Sequence, residues 1–438
     1  MASVAATPGR VERTPEITST ALPARLPIEH SALLTATLCL LAGGAVMVYS
    51  ASAPAVLSGG STGGASALVR FVVAGALGLV LLRFAARADL EAVRRLTGPL
   101  LGISFALLIA VRLPGLGHGT NGSQRWVGAG PVQFEPSELM KLALVLYAAH
   151  VLSHGRPGGR ALRTAAQRLA LVGVAAILMV GAQPDIGTAA VIALALFAIL
   201  LSAGISVRVL SAAAILSIAA VAAFAIAVPY AGARLTSFVD PQAHATTTGY
   251  QAVQSQIAIG SGGFFGRGPG ASLEKDFSLP EAPTDFILAV IGEELGFVGI
   301  AVLLALYFLI AYAGLRAAHR AKGSYAMLIG VGVTSLIVLQ ASLNVFAVLG
   351  IAPVTGVPLP FVSYGASNLL VMLAAMGLLL NVAGGGAGHL RAVGGTRRRK
   401  ATRSADERTT ADRDRSRRDR WARRAGPRRG GRTAGAGG

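Results

Sequence analysis

The chain alternates long apolar runs with short polar joints, and that alternation decides what it can fold into. A helix needs about 20 apolar residues to cross the hydrocarbon of a bilayer. By that measure ten runs qualify, near 32–52, 68–86, 96–113, 137–154, 168–183, 186–205, 208–230, 285–315, 325–350 and 362–384. Only 13% of the residues are charged, and mean hydropathy is +0.62. A soluble domain carries about 25% charged residues, so lipid must be the main solvent of this chain. The predicted fold is all-α: a polytopic integral membrane protein of ten transmembrane helices, with a large extracytoplasmic loop, 231–284, between helices 7 and 8. The fifth and sixth runs are separated only by Pro184 and Asp185, and the proline favours a break there. The single cysteine, Cys39, forms no internal disulfide and reads as a small packing residue.

Loop charges orient the helices. Arg83, Arg87, Arg94, Arg95, Arg156, Arg160, Arg163, Arg208, Arg316, Arg320 and Lys322 all fall in one set of joints, together with the N-terminal arginines and the C-terminal tail. The alternate joints 53–67 and 351–361 hold no Lys or Arg. Both termini are therefore expected in the cytoplasm, as an even number of spans requires. Three parts follow: a cytoplasmic segment 1–30, a membrane domain 31–385, and a basic cytoplasmic tail 386–438. The net charge of +19 is concentrated in that tail, where residues 388–438 hold 17 Lys+Arg against 5 Asp+Glu. Such a composition predicts disorder. It suits attachment to anionic lipid, docking of a cytoplasmic partner, or simple fixing of topology, and gives no reason to expect a nucleic-acid partner.

Charged groups at or inside a span are costly, so each needs a reason. Residues 121–126 read N-G-S-Q-R-W and 134–142 read F-E-P-S-E-L-M-K-L. Pro136 suits the first turn of a helix, which puts Glu138 and Lys141 on one face, either as a self-neutralising pair or as a polar site. Arg125 beside Trp126 suits a headgroup or a pyrophosphate at the interface. In Q-P-D-I-G-T, 183–188, Asp185 either caps the following helix or serves a site. The long loop is rich in glycine and carries Arg234, Lys275 and Glu281 among mixed charges. It runs through L-P-E-A-P-T-D-F, 279–286, into an apolar span. Asp285 stands at that boundary, where the helix N-terminus favours the carboxylate and desolvation favours the acid. That balance fits a general base, and helix capping is the alternative. Glu293 and Glu294 lie about 12 Å further along the axis on other faces and read as structural. Pro353, Pro358 and Pro360 forbid a continuous helix across 344–368. That segment is expected to be a rigid loop dipping into the bilayer, buried or lining a cavity. Gln340 and Asn344, one turn apart, are placed to hydrogen-bond across the bundle. No zinc cluster, P-loop or dinucleotide fingerprint is present.

In their order these stretches resemble the SEDS family (shape, elongation, division and sporulation), whose members include FtsW, RodA and SpoVE. The matching stretches are R-W then P-S-E-L-M-K, Q-P-D-I-G-T, G-Y-Q-A-V-Q-S, G-S-G-G-F-F-G, L-P-E-A-P-T-D-F, I-G-E-E-L-G and P-V-T-G-V-P-L-P-F-V-S-Y-G. The likeness covers roughly 31–384, and L-P-E-A with I-G-E-E-L-G is closer to the FtsW/SpoVE branch. It implies a ten-helix peptidoglycan glycosyltransferase in the bacterial plasma membrane, acting at its outer face, with a septal role in division. The implied substrate is lipid II, the undecaprenyl-pyrophosphate-linked disaccharide peptide. Implied partners are a class B penicillin-binding protein transpeptidase and other cell-division proteins. Asp285 matches the family's catalytic Asp, Glu138 and Lys141 its functional pair, and Arg125 its R-W position. Arg234, Lys275, Glu281, Thr284 and Ser363 are further substrate-binding candidates, and a divalent cation (Mg or Mn) is a possible cofactor. The sequence departs at Pro283, where the family usually has His, at Glu135 for a common Gln, and at Ala366 and Asn368 in the usual S-Y-G-G-S-S.

Two other readings compete. A flippase for the lipid-linked precursor predicts transport without polymer, and a non-catalytic scaffold predicts tolerance of substitution at Asp285.

Overall fold

The computed structural model describes residues 27–52, 64–113, 117–120, 123–129, 132–155, 159–227, 229–247, 249–274 and 279–385. The tail 386–438, Lys275 and all but the end of segment 1–30 lie outside them. The described helices are α1 (Ile28–Ser52), α2 (Gly64–Arg87), α3 (Leu90–Ala110), α4 (Pro136–Leu152), α5 (Arg160–Gly181), α6 (Ile186–Ser202), α7 (Val207–Ala227), α8 (Pro229–Val239), α9 (Tyr250–Gly262), α10 (Ile287–Arg320), α11 (Ser324–Val348) and α12 (Ala366–Ala383). Seven of them (α1, α2, α3, α5, α10, α11 and α12) are long and apolar enough to cross a membrane. Helices α6 and α7 are apolar, and α6 is shorter. Large apolar side chains such as Val73, Phe84, Leu171, Leu216 and Phe308 point outward, which is stable only against lipid. Cys39 is exposed on α1 rather than packed inside.

Helix α4 is the axis of the bundle. Almost its whole length from Pro136 to Leu152 is buried, so it can carry Glu138 and Lys141 without showing either to lipid. Where hydrophobicity cannot drive association, close backbone approach does. A side chain at Gly377 of α12 would strike the Leu82 carbonyl of α2.

Two features go beyond ten helices joined by loops. Between α3 and α4 lies an antiparallel sheet, β1 (Gly117–Thr120), β2 (Ser123–Ala129) and β3 (Val132–Phe134), in that order. Its register pairs His118 with Trp126 and Val127 with Phe134. The segment 231–284 is also structured, since it contains most of α8 and all of α9. Helix α9 packs on α10 so closely that a Cβ on Gly262 would meet the Gly292 carbonyl.

Helix α10 breaks at Gly296 (φ 66°, ψ −161°), a conformation that suits glycine. The remainder, Phe297–Arg320, is about 36 Å long, enough to span. The short piece before the break carries Glu293 and Glu294. Against the break fits the glycine-rich turn after α9: Phe297 and Val298 N–H groups donate to the Gly263 and Phe264 carbonyls at 3.0 and 3.2 Å.

Candidate active site

Asp285 ends a tight turn two residues before α10. Glu281, in the left-handed region (φ 57°), turns its carbonyl toward the chain ahead, where it accepts from the N–H groups of Thr284, Asp285 and Phe286. The Thr284 hydroxyl donates to the Glu281 carboxylate at 3.0 Å. Pro283 holds the neighbouring loop through its backbone, because its carbonyl accepts from Tyr364 N–H at 2.9 Å. That contact needs no side-chain donor, so a proline is compatible with it.

Helix α11 fixes both this turn and the proline-rich loop 350–365. Asn344 Nδ2 donates to the carbonyls of Asp285 (2.7 Å) and Val357 (2.8 Å). One turn away, Gln340 Nε2 donates to the Pro358 carbonyl and to Asn368 Oδ1, each at 2.9 Å. Gln340 Oε1 accepts from Lys141 Nζ at 2.7 Å. Lys141 in turn pairs with Glu138 at 2.8 Å, and both side chains are about 1% exposed. Asn368, a departure from the family pattern, is thus a working member of this network. Ser363 is also buried inside the loop and accepts from Leu359 N–H at 2.8 Å.

Arg125 reaches the same place from β2. Its guanidinium donates to the Gln183 carbonyl at 3.2 Å and to the Pro184 carbonyl, and lies 3.9 Å from Asp185. Asp185 caps α6 by accepting from Thr188 N–H at 3.1 Å. Gly356 stands between the two charged groups. A Cβ built there would sit 3.4 Å from Asp285 Oδ2 and 3.9 Å from Arg125 Nη1. Asp285 is half-buried and lines a small cavity with Asn344, Thr355, Gly356 and Val357. Among the described residues, Asn344 Oδ1 and Thr355 Oγ1 on that cavity, and Asp185 Oδ2 nearby, are buried without a hydrogen-bond partner. Such atoms cost about 1–3 kcal/mol each, and a polar ligand here would offset that cost.

The structure thus brings Asp285, Thr284, Glu281 and Arg125 together and sets Glu138, Lys141 and Ser363 behind them. Arg234 lies on α8, and its side chain is outside the described residues, as is Lys275. Sequence reasoning assigned no site role to Asn344, Thr355 or Gly356. The proline-rich motif was their signal, but it does not say which loop atoms face a cavity. Among the described residues no three His, Cys, Asp or Glu side chains form a metal-binding group, and a guanidinium occupies Asp285's surroundings.

Fold and site together define a multi-span helical membrane protein with a carboxylate on a small cavity and a guanidinium close to its Gly356 wall. The sequence profile of a family described as cell cycle protein, which groups FtsW, RodA and SpoVE, matches residues 31–385, and the chain belongs to that family. Stage V sporulation protein E of Bacillus subtilis is 36% identical over 350 residues, covering 80% of this chain and 95% of that one. A probable peptidoglycan glycosyltransferase FtsW of Trichlorobacter lovleyi is 34% identical over 83% of this chain and 95% of its own length. Among solved structures, a chain of a peptidoglycan synthase complex superposes with a TM-score of 0.66 at 30% identity, covering 80% of this chain and 96% of that chain. RodA of Thermus thermophilus superposes at 0.59 and 29% identity, covering 80% of this chain and 95% of that chain.

Proposed function

We propose that this chain is a peptidoglycan glycosyltransferase that polymerises lipid II at the outer face of a bacterial plasma membrane, in septal wall synthesis. One observation carries the chemistry: Asp285 and Arg125 both approach Gly356, and the small cavity that Asp285 lines there holds the unpartnered Asn344 Oδ1 and Thr355 Oγ1. In this reading Asp285 takes the proton from the 4-hydroxyl of the acceptor N-acetylglucosamine. That oxygen attacks the anomeric carbon of the donor N-acetylmuramic acid with inversion, and the bond to the pyrophosphate breaks. The electron pair leaves on the lipid pyrophosphate, where Arg125 offsets the growing charge. We assign Glu138, Lys141 and Gln340 to positioning, because they hold the loop from behind, and Asn344 to positioning through its Nδ2, which holds the Asp285 and Val357 carbonyls while its Oδ1 lies on the cavity.

The proposed topology has ten spans, α1 to α7 and α10 to α12, with both termini cytoplasmic. It is supported by the gathering of basic residues at the end of the bundle away from Asp285. There Arg316 and Arg320 of α10 pair with Glu29 of α1, and Arg94 of α3 meets His150 of α4. A class B penicillin-binding protein as partner is supported by the likeness to a chain of a peptidoglycan synthase complex. The test is fluorescent lipid II supplied to the purified protein with that partner. Wild type is expected to yield glycan strands and Asp285→Asn none. Undiminished polymer from the variant overturns the general-base assignment.

A further inference from the structure

The end of the bundle away from Asp285 holds a cavity of about 550 Å³ between the last turn of α4 and the first turns of α5. Its polar wall is made by His150, His154, Arg160, Thr164 and Arg168, with no carboxylate in its lining. A second recess of about 360 Å³, lined by Arg160, Arg163, Thr164 and Gln167, shares Arg160 and Thr164 with the first. Among the described residues no Asp or Glu forms a salt bridge with Arg160, Arg163 or Arg168, whereas Arg94 and Arg95 nearby both pair with Glu91. Three guanidiniums around two adjoining recesses that share Arg160 repel one another, an arrangement that an anion relieves. The volume is that of a small-molecule site.

The two histidines point to the same ligand. Arg94 donates to His150 Nδ1 at 3.1 Å and to His154 Nε2. A ring nitrogen that accepts carries no proton, so each ring is left with its N–H on the other nitrogen. His154 spends that donor on the His150 carbonyl at 3.0 Å. His150, which lines the cavity, is left with its N–H on Nε2. The site therefore offers donors and positive charge and wants acceptor oxygens bearing negative charge.

Helix α5 indicates where that anion comes from. Beyond Arg168 the same side of the helix continues through Leu171, Val174 and Leu178, all exposed and spaced to share a face. A charged head at Arg168 with apolar chains along these three residues is the shape of a phospholipid. The chain's own tail is strongly basic and is repelled from such a site.

We propose that the α4–α5 cavity binds the phosphate-ester head of an anionic phospholipid, with its acyl chains lying along α5. The site sits at the foot of α4, about 18 Å along the axis from Glu138. Lipid binding there steadies the helix that carries the Glu138–Lys141 pair. The chemistry does not depend on the glycosyltransferase reading; only the leaflet does.

The test uses the full chain in detergent and counts retained lipid by native mass spectrometry. Phosphatidylglycerol and phosphatidylcholine are supplied separately, and sn-glycerol 3-phosphate serves as soluble competitor. Phosphatidylglycerol is expected to bind and phosphatidylcholine not. Each Arg→Gln substitution at 160, 163 or 168 should weaken binding about fivefold, and the triple variant about a hundredfold. Arg95→Gln, on the same face but outside the cavity, should leave binding unchanged. Displacement by excess lipid but not by equimolar glycerol phosphate identifies a membrane lipid, and displacement by equimolar glycerol phosphate overturns the lipid in favour of a soluble phosphate ester. Two results overturn the site itself: equal retention by wild type and a triple variant of unchanged melting temperature, or a loss in Arg95→Gln matching that in Arg168→Gln. Activity is followed in parallel, so loss of polymer with lipid binding intact points to the catalytic reading and not to this one.

Discussion

Three carboxylates stand within ten residues around the start of α10, and the protein treats them in two ways. Glu293 and Glu294 are at most 1% exposed and surrounded by donors. Glu293 accepts from Ser272 Oγ and Leu273 N–H and pairs with Arg267 at 3.5 Å. Glu294 accepts from Ser50 of α1 at 2.7 Å and from Gly270 N–H at 2.9 Å. They fasten the glycine-rich turn and α1 to the break in α10. Asp285 is instead half-buried, and its position is set by its backbone, through Asn344 and the Glu281 carbonyl. A carboxylate saturated by its own protein holds a fold together. One half-buried at the edge of a cavity, with its main chain fixed, is the candidate for chemistry.

The sharpest way to break this contrast is to exchange the effects. Asp285→Asn should lower polymerisation by about 10²–10⁴-fold, the range for loss of a general base, with no change in melting temperature. Glu293→Ala should do the reverse. It strips the acceptor from a buried hydroxyl, an N–H and a guanidinium, and such losses cost about 3 kcal/mol. Melting in detergent should show that cost, and polymerisation at low temperature should largely survive. If Glu293→Ala abolishes activity at full stability, the division between fastener and base is wrong.

Gly356 tests the cavity itself. With φ at 70° it occupies backbone space that costs an ordinary residue about 1–2 kcal/mol. The methyl group of Gly356→Ala would also stand between Asp285 and Arg125. Stability should fall by about that amount and turnover by roughly tenfold or more, as small misplacements at a reacting centre do. A drop in melting temperature with unaltered turnover would show that the substrate does not pass between the two charges.

The long apolar helices and the order of the motifs could be read from the chain because lipid imposes a length and an apolarity on each span. Asp285, Arg125 and the Gln340–Asn344 pair stood out for the same reason, since polar groups near lipid must have partners or a purpose. The sheet did not stand out. Its strands are three to seven residues long, too short for a clear period of two. Yet Asn121–Gly122 between Thr120 and Ser123, which pair in the register, is a strong hairpin signal that was overshadowed by the apolar runs. The break at Gly296 was hidden because an apolar run looks the same whether its helix is straight or interrupted. The side-chain network behind the loop joins residues some 200 positions apart, such as Lys141 and Gln340, and no local pattern reveals it.

Glu135 offers the finest test, because it stands just outside α4 at the edge between the buried polar network and the surface. Burial first, then the negative charges of Asp185 and Glu138, push its carboxyl up to about 8 from an ordinary 4.5. The sign follows from proton counting. Between pH 4.5 and about 8 the folded chain holds a proton that the unfolded chain has released, so stability from this group falls as pH rises through that window. Glutamine cannot ionise, so Glu135→Gln should remove the fall. Its melting temperature should approach that of wild type near pH 5, exceed it increasingly up to about pH 8 and keep that margin above it. A difference that stays constant across the range would mean that Glu135 is ionised throughout. The acidic side of this network would then be as well compensated as Glu293 and Glu294 are.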